Sequence, residues 1–199
     1  MVGIIDYGVG NLFSLRSSFA AIGVEAFVSG DAAELAKADR LILPGGGAFG
    51  DAAEKLRASG LVAFVREQAA AGKPLMGICL GMQLLFERSY EYGDHEGLGL
   101  LKGQVVGMSG RLPEGLKIPH MGWNALKLTK SAKLLEEGSY VYFVHSFYAE
   151  NCEDSLAAVT DYGIPITAAV EKDNIFGCQF HPEKSGNVGL ALLKRFCEV

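Results

Sequence analysis

A glycine-bracketed cysteine stands where an apolar run gives way to a helical pattern. Leu75–Ile78 is short and apolar, and a 3.6-residue pattern begins with Leu80, Gln83, Leu84 and Glu87. The glycines two residues to either side of Cys79 leave the space that a sharp strand-to-helix turn needs. We expect the thiol to project into solvent above the sheet edge, where the helix N-terminus favours the thiolate. This pattern predicts a nucleophile; a buried structural cysteine is the alternative.

Strands alternate with helices through the first part of the chain. Apolar runs at residues 2–6, 24–28 and 40–43 and the run before Cys79 are separated by helical patterns at 12–22, 32–38, 52–58 and 61–71. Such alternation indicates right-handed crossovers and a parallel sheet with helices on both faces.

The second part of the chain has a different pattern. Short β-type stretches dominate residues 98–170, followed by a last apolar strand at 175–180 and a closing helix at 188–196. The β-type stretches lie at 103–106, 124–128, 140–147 and 156–160. We predict an α/β fold with three αβα layers, a mostly parallel central sheet and an antiparallel extension, formed by one domain of residues 1–199.

Composition narrows the functional class. The 199 residues carry a net charge of -5 without a run of lysines or arginines, which argues against nucleic-acid binding. Four cysteines lack the paired spacing of a zinc site or disulfide framework, which favours a reducing compartment. No signal peptide or membrane-spanning run is recognisable, so we predict a cytoplasmic protein that does not bind membranes.

His181 and Glu183 are the candidate base and its orienting partner. They follow the last predicted strand, so a parallel placement brings them to the same sheet edge as Cys79. In an extended segment, residues two apart face the same side, which lets the carboxylate reach the imidazole. The alternative is a surface His and Glu in a loop. The Cys79 turn favours a Cys-His-Glu triad instead.

A glycine loop follows the strand at 40–43. Backbone N–H groups of Gly45, Gly46 and Gly47 are candidate donors to the oxyanion formed when sulfur attacks a carbonyl. The loop lacks the established phosphate-binding spacings, which makes nucleotide binding the weaker interpretation. A tight turn without a ligand is the remaining alternative.

The other histidines do not have the spacing of a metal-ligand pair. His95 lies in a polar loop, and His120 and His145 are separated by a long segment. We therefore predict no metal and no cofactor.

Taken together, these segments resemble the class I glutamine amidotransferases. The matching motifs are G-I-C-L-G-M-Q around Cys79 and H-P-E at His181, and the resemblance covers essentially the whole chain. Within the class, the chain is most similar to the glutaminase subunits of imidazole glycerol phosphate synthases, which act in histidine biosynthesis. D-Y-G-V-G-N from Asp6, P-H-M-G-W-N from Pro119 and Y-F-V-H-S-F-Y from Tyr142 carry that closer likeness.

The resemblance implies hydrolysis of glutamine to glutamate and ammonia by Cys79, His181 and Glu183. It also implies that the substrate is held, and its oxyanion stabilised, by Gly45, Gly46, Gly47, Leu80, Gln83, Ser146 and Phe147. The ammonia would pass to a (β/α)8 barrel cyclase in a heterodimer, which makes imidazole glycerol phosphate and an aminoimidazole carboxamide ribotide. Positions matching the family's subunit interface are Asn11, Trp123, Tyr142 and Lys184.

One position departs from the resembled family. Valine usually stands where this chain has Gly46, and glycine allows backbone conformations that valine resists. We predict a loop that flips more readily into its donor-forward state and raises hydrolysis without the partner.

Three other interpretations compete with this one. The P-H-M-G-W-N segment argues against a glutaminase subunit of another amidotransferase, such as pyridoxal phosphate synthase. Leu80 stands where related cysteine peptidases and hydrolases of α/β families can place histidine after the nucleophile. A non-catalytic binding module would have a broken triad, whereas all three residues are present.

Overall fold

The computed structural model describes residues 1–199 and contains fourteen strands and six α-helices. The strands are β1 Val2–Ile5, β2 Ala26–Ser29, β3 Arg40–Leu43, β4 Leu75–Ile78, β5 Phe86–Ser89, β6 His95–Glu96, β7 Leu101–Gly107, β8 His120–Ala125, β9 Lys127–Leu128, β10 Tyr140–His145, β11 Phe147–Glu150, β12 Leu156–Asp161, β13 Pro165–Lys172 and β14 Ile175–Cys178. The helices are α1 Leu12–Ala21, α2 Ala32–Leu35, α3 Phe49–Ala58, α4 Leu61–Ala70, α5 Leu80–Leu84 and α6 Gly186–Phe196. A 3-10 turn covers Pro182–Lys184.

The central sheet has eight strands in the order β2-β1-β3-β4-β14-β13-β12-β9. The five strands from β2 to β14 pair in parallel, and β13, β12 and β9 continue the sheet in antiparallel pairing. The predicted parallel core with an antiparallel extension is therefore confirmed.

The two faces of this sheet bury separate apolar clusters. Successive residues of a strand point to opposite faces, so Ile5 and Leu43 join the cluster under α3 and α4, whereas Ile4 and Ile42 join the cluster under α1 and α6. Helices thus cover both faces and form the predicted three layers. None of these helices combines the length and apolarity needed to cross a membrane.

The helix after Cys79 is shorter than predicted. α5 ends at Leu84, and the chain then enters β5, which pairs with β6 and β7 in a separate four-stranded sheet, β11-β7-β5-β6. Residues 84–86 are all buried and apolar, a composition that suits a helix and a strand equally, so periodicity alone did not locate the end of the helix.

Two predicted strands are each divided between different sheets. Residues 140–147 form β10, which pairs with β8, and β11, which pairs with β7, with Ser146 at the break. Residues 124–128 contribute to β8 and to β9, which lies in the central sheet. Continuous β-type sequence does not reveal where a strand changes its partner.

Candidate active site

Cys79 occupies a strained turn between β4 and α5. Its backbone has φ 54° and ψ -113°, a positive-φ conformation that is uncommon for a residue with a side chain. The Cys79 N–H donates to the carbonyl of Cys178 on β14, over 2.7 Å, which extends the strand pairing to the turn. A β-carbon on Gly81 would lie 1.9 Å from the Leu43 carbonyl oxygen, so this tight packing requires glycine.

The sulfur faces a cavity rather than open solvent. Cys79 is only 9% exposed, so the expectation of a thiol projecting into solvent is wrong. Its side chain lines a cavity of about 350 Å³, together with His181 and with every position predicted to hold glutamine, which are Gly45, Gly46, Gly47, Leu80, Gln83, Ser146 and Phe147. The loops that follow β3, β4, β10 and β14 build this cavity.

His181 and Glu183 form a largely buried pair. Nδ1 of His181 lies 2.8 Å from Oε1 of Glu183, and Oε2 of Glu183 is buried without a hydrogen-bond partner. The segment is not extended as predicted: it enters the 3-10 turn at Pro182, which still brings the two side chains together. Burial alone would lower the pKa of His181, but hydrogen bonds to Cys79 and Glu183 outweigh burial and raise the pKa to about 9. The imidazole can therefore hold a proton beside the sulfur at neutral pH.

The glycine loop after β3 offers unused donors. None of the backbone N–H groups of Gly45, Gly46 and Gly47 donates a hydrogen bond within the chain. The preceding carbonyl, of Pro44, accepts a hydrogen bond from the Tyr7 hydroxyl at 2.6 Å, which anchors the base of the loop. On the other side of the cavity, the Leu80 N–H belongs to the first turn of α5 and has no acceptor within the helix. Two sets of backbone donors thus border the cavity that holds the sulfur.

The Gln83 side chain links α5, the helix that follows Cys79, to the opposite wall of the cavity by hydrogen bonds. Its Nε2 donates to the Phe147 carbonyl at 3.1 Å and to Oε1 of Gln179 at 3.0 Å. Ser146 lies at the break between β10 and β11. This break turns the backbone towards the cavity and explains why a segment predicted as continuous strand contributes to the site.

Glu91 and Tyr92 also line the cavity, and sequence reasoning missed both. Glu91 is the only carboxylate in the cavity wall, and its Oε2 accepts from the Phe49 N–H at 2.8 Å. Burial raises the pKa of Glu91. The Tyr92 ring packs edge-on against Phe147, with ring centres 5.9 Å apart. Both residues lie in the polar loop between β5 and β6, where no spacing marked them as part of a site.

A pair of histidines reaches the cavity wall, which His145 lines and His120 does not. Since the Phe147 carbonyl can only accept, Nδ1 of His145 donates to it, over 2.8 Å. Burial lowers the pKa of His145 to about 3, and its Nε2 lies 3.0 Å from Nδ1 of His120. The two side chains meet because β8 and β10 pair in register, which the sequence separation concealed. No cluster of three or more His, Cys, Asp or Glu side chains is arranged to hold a metal ion.

The four predicted interface residues occupy two adjoining regions. Trp123 and Tyr142 are cross-strand neighbours on β8 and β10, and Trp123 is 53% exposed. The Tyr142 carbonyl accepts from the His181 N–H at 3.0 Å, so this strand is bonded directly to the turn that begins at His181. Lys184 is exposed at the end of the same turn, and exposed Asn11 caps α1 by accepting from the Ser14 N–H.

Comparison with known proteins defines the class. The sequence model of the family "Glutamine amidotransferase class-I" matches residues 3–198. A solved structure described as a glutamine amidotransferase superposes with a TM-score of 0.78 at 20% identity, covering 99% of this chain and 97% of its own. PurLQS from Thermotoga maritima superposes with a TM-score of 0.74 at 21% identity, covering 99% and 97% of the two chains. These structures support the predicted fold class.

Curated relatives place the chain more narrowly. It is 51% identical to imidazole glycerol phosphate synthase subunit HisH of Wolinella succinogenes, over 100% of both chains. It is also 51% identical to HisH of Caldanaerobacter subterraneus subsp. tengcongensis, over 100% of this chain and 98% of the relative. The chain belongs to the class I glutamine amidotransferases and, within them, to the HisH subunits of imidazole glycerol phosphate synthases.

Proposed function

We propose that this chain hydrolyses the side-chain amide of glutamine with Cys79, His181 and Glu183 and transfers the ammonia to a cyclase subunit. The observation that carries the proposal is the convergence of a strained cysteine and a buried His-Glu pair at one cavity. The carboxyl ends of the adjacent parallel strands β4 and β14 bring them there.

The first half of the reaction forms a thioester. The Cys79 thiolate attacks the amide carbon of glutamine, and the developing oxyanion accepts from the N–H groups of the Gly46–Gly47 region and of Leu80. His181 then donates its proton to the leaving nitrogen, the carbon–nitrogen bond breaks, and ammonia departs. Glu183 keeps the imidazole oriented and compensates its positive charge.

The second half releases glutamate. Water attacks the thioester carbon while the now neutral His181 accepts its proton, and the tetrahedral intermediate expels the Cys79 thiolate. The same oxyanion donors serve both halves. His181 is protonated again and Cys79 is again a thiolate, so the site can react with another glutamine.

The cavity suits the polar ends of glutamine. Glu91, the only carboxylate in the wall, is placed to accept from the α-ammonium group of the substrate, which would favour its charged form. Gln83 and the Ser146-Phe147 segment border the cavity on the opposite side, where they would hold the rest of the substrate. A volume of about 350 Å³ accommodates one amino acid of this size.

The acceptor chemistry needs a second subunit. Ammonia released into bulk water becomes ammonium, which is not nucleophilic, so a glutaminase gains by passing it directly to the acceptor site. We propose a (β/α)8 barrel cyclase as partner, which uses the ammonia to form imidazole glycerol phosphate and an aminoimidazole carboxamide ribotide. Asn11, Trp123, Tyr142 and Lys184 are the proposed contacts, and exposed apolar surface around Trp123 supports them.

A Cys79→Ser variant tests the nucleophile in the assembled synthase. We expect loss of glutamine-dependent synthesis, with synthesis from added ammonium salts intact, because only glutamine hydrolysis needs the sulfur. Cys197→Ser is the matched control, since this half-buried cysteine near the end of the chain lies outside the cavity. Continued turnover with glutamine in Cys79→Ser would refute the assignment.

A further inference from the structure

Gln179 lies beside the nucleophile but has no part in the reaction described above. It follows β14, is fully buried, and its backbone N–H donates to the Ala168 carbonyl at 2.9 Å, which fixes its position. Its side-chain Nε2 lies 3.7 Å from the sulfur of Cys79. A buried amide aimed at a reactive sulfur calls for a chemical explanation.

The orientation of this amide follows from a single unambiguous acceptor. The Phe147 carbonyl can only accept, so the side-chain nitrogen of Gln83 must face it. The second hydrogen of that nitrogen then points to Gln179, which presents its oxygen in return. With its oxygen directed at Gln83, Gln179 necessarily presents its NH₂ group to the sulfur. The chain of hydrogen bonds leaves no alternative assignment for the two amides.

The donor faces a sulfur with few other polar neighbours. The Val144 carbonyl oxygen lies 4.0 Å from the sulfur. The titratable groups that interact with Cys79 are His181, Tyr7 and Cys178. Burial raises the pKa of both Tyr7 and Cys178, so neither supplies charge at neutral pH and His181 is the only cation. Gln179 is thus a neutral donor that supplements the imidazolium.

We propose that Gln179 is a further catalytic residue, whose side-chain N–H donates a hydrogen bond to the Cys79 thiolate. This inference rests on the proposed role of Cys79 as the nucleophile. The N–H proton stays on Gln179 throughout the cycle, so the residue transfers nothing. It stabilises the negative sulfur before attack and again when the tetrahedral intermediate expels it.

The proposal can be tested on the full chain by the rate at which iodoacetamide alkylates Cys79, measured as a function of pH. Peptide mass spectrometry distinguishes Cys79 from the other three cysteines. Only the thiolate reacts, so the pH midpoint of the rate reports how well the negative sulfur is stabilised. In Gln179→Met, which is similar in volume but has no donor, we expect the midpoint to rise by about one to two pH units.

Three further variants interpret that result. Gln83→Met removes the hydrogen bond that orients the Gln179 amide but leaves the donor in place, so we expect a smaller rise of the midpoint than in Gln179→Met. Thr160→Val removes a different buried hydrogen bond, to the Ala125 carbonyl, and serves as the control for general destabilisation. If Gln179→Met does not fold, Gln179→Asn withdraws the same donor by one methylene and should raise the midpoint.

An unchanged midpoint in the folded Gln179 variant would overturn the proposal. Equal shifts in Gln179→Met and Gln83→Met would also overturn it, because Gln179 would then act only by holding Gln83. Neither outcome depends on glutamine hydrolysis, so a failure here is distinct from a failure of the nucleophile assignment, which Cys79→Ser tests.

Discussion

The Cys79 turn follows β4, and the glycine loop follows the neighbouring strand β3. Both border the same cavity, but they differ in how much space surrounds their backbones. At the turn, a β-carbon on Gly81 would lie 1.9 Å from a backbone oxygen. In the loop, a β-carbon on Gly46 would meet nothing closer than 3.9 Å, and one on Gly47 would meet nothing within 4 Å. Cys79 is therefore held by tight backbone packing, which also includes Gly45, whereas the candidate oxyanion donors Gly46 and Gly47 have open space where a side chain would lie.

The largest loss of stability is expected at the tightly packed Cys79 turn. Gly81→Ala forces apart the end of β3 and the start of α5, so we expect a loss of about 3 kcal/mol or more in the free energy of unfolding. Urea denaturation of the purified chain measures it. Gly46→Ala is the matched control and should stay within about 0.5 kcal/mol of the parent. Similar stability of the two variants would mean that the turn is not rigid.

The pair formed by His181 and Glu183 should make the free energy of unfolding depend on pH. The pKa of His181 is raised from 6.5 to about 9, so its contribution is fully present below pH 6.5 and is lost as pH rises towards 9. We expect a decline of about 2 kcal/mol across that window, below the full linkage value because partial exposure and coupling reduce it. Glu183→Gln leaves the interaction of His181 with Cys79 in place and should reduce the decline, as measured by denaturation at several pH values. An equal decline in both proteins would show that Glu183 does not raise the pKa of His181.

At Gly47 in the glycine loop, the stability cost of a substitution should come from the backbone conformation and not from a lack of space for a side chain. Gly47 has φ 75°, which glycine adopts freely and alanine does not. We expect Gly47→Ala to lose about 1 kcal/mol of stability, which thermal or urea denaturation can resolve from Gly46→Ala. If both alanines were tolerated equally, Gly47 would not need the left-handed conformation.

The smallest effect on stability is expected at Gly46. A side chain fits there, so Gly46→Val should change the unfolding free energy by less than about 0.5 kcal/mol. We expect basal glutamine hydrolysis without the partner to fall several-fold, because valine restricts the backbone that must present its N–H group. Glutamate release by the isolated chain is the measurement. Unchanged or higher release would show that Gly46 does not control the donors.

The parallel half of the fold was predictable from local sequence. β3 has the bounds expected from its apolar run, and β4 ends at Ile78 just before the cysteine, as expected. Each of these strands is buried on both faces and ends in glycine-containing sequence, so pattern and burial agree. The convergence of Cys79 and His181 at one sheet edge followed from the same rule.

The antiparallel part was less predictable, because strand partners there are chosen by long-range packing. The division at Ser146 and the change from α5 to β5 depend on a four-stranded sheet that no local pattern reveals. Glu91, His145 and Gln179 were missed for the same reason. Glu91 and His145 reach the cavity, and Gln179 reaches Cys79, only after β5, β10 and β14 are placed around them.

The positive φ of Cys79 has a consequence for selection on this chain. Glycine adopts that conformation without strain, so Cys79→Gly releases backbone strain while it loses the sulfur and its interaction with His181. The strain released offsets part of the stability lost, so a library screened for stability alone would select only weakly for cysteine at position 79. A screen that requires glutamine-dependent synthesis would retain the cysteine.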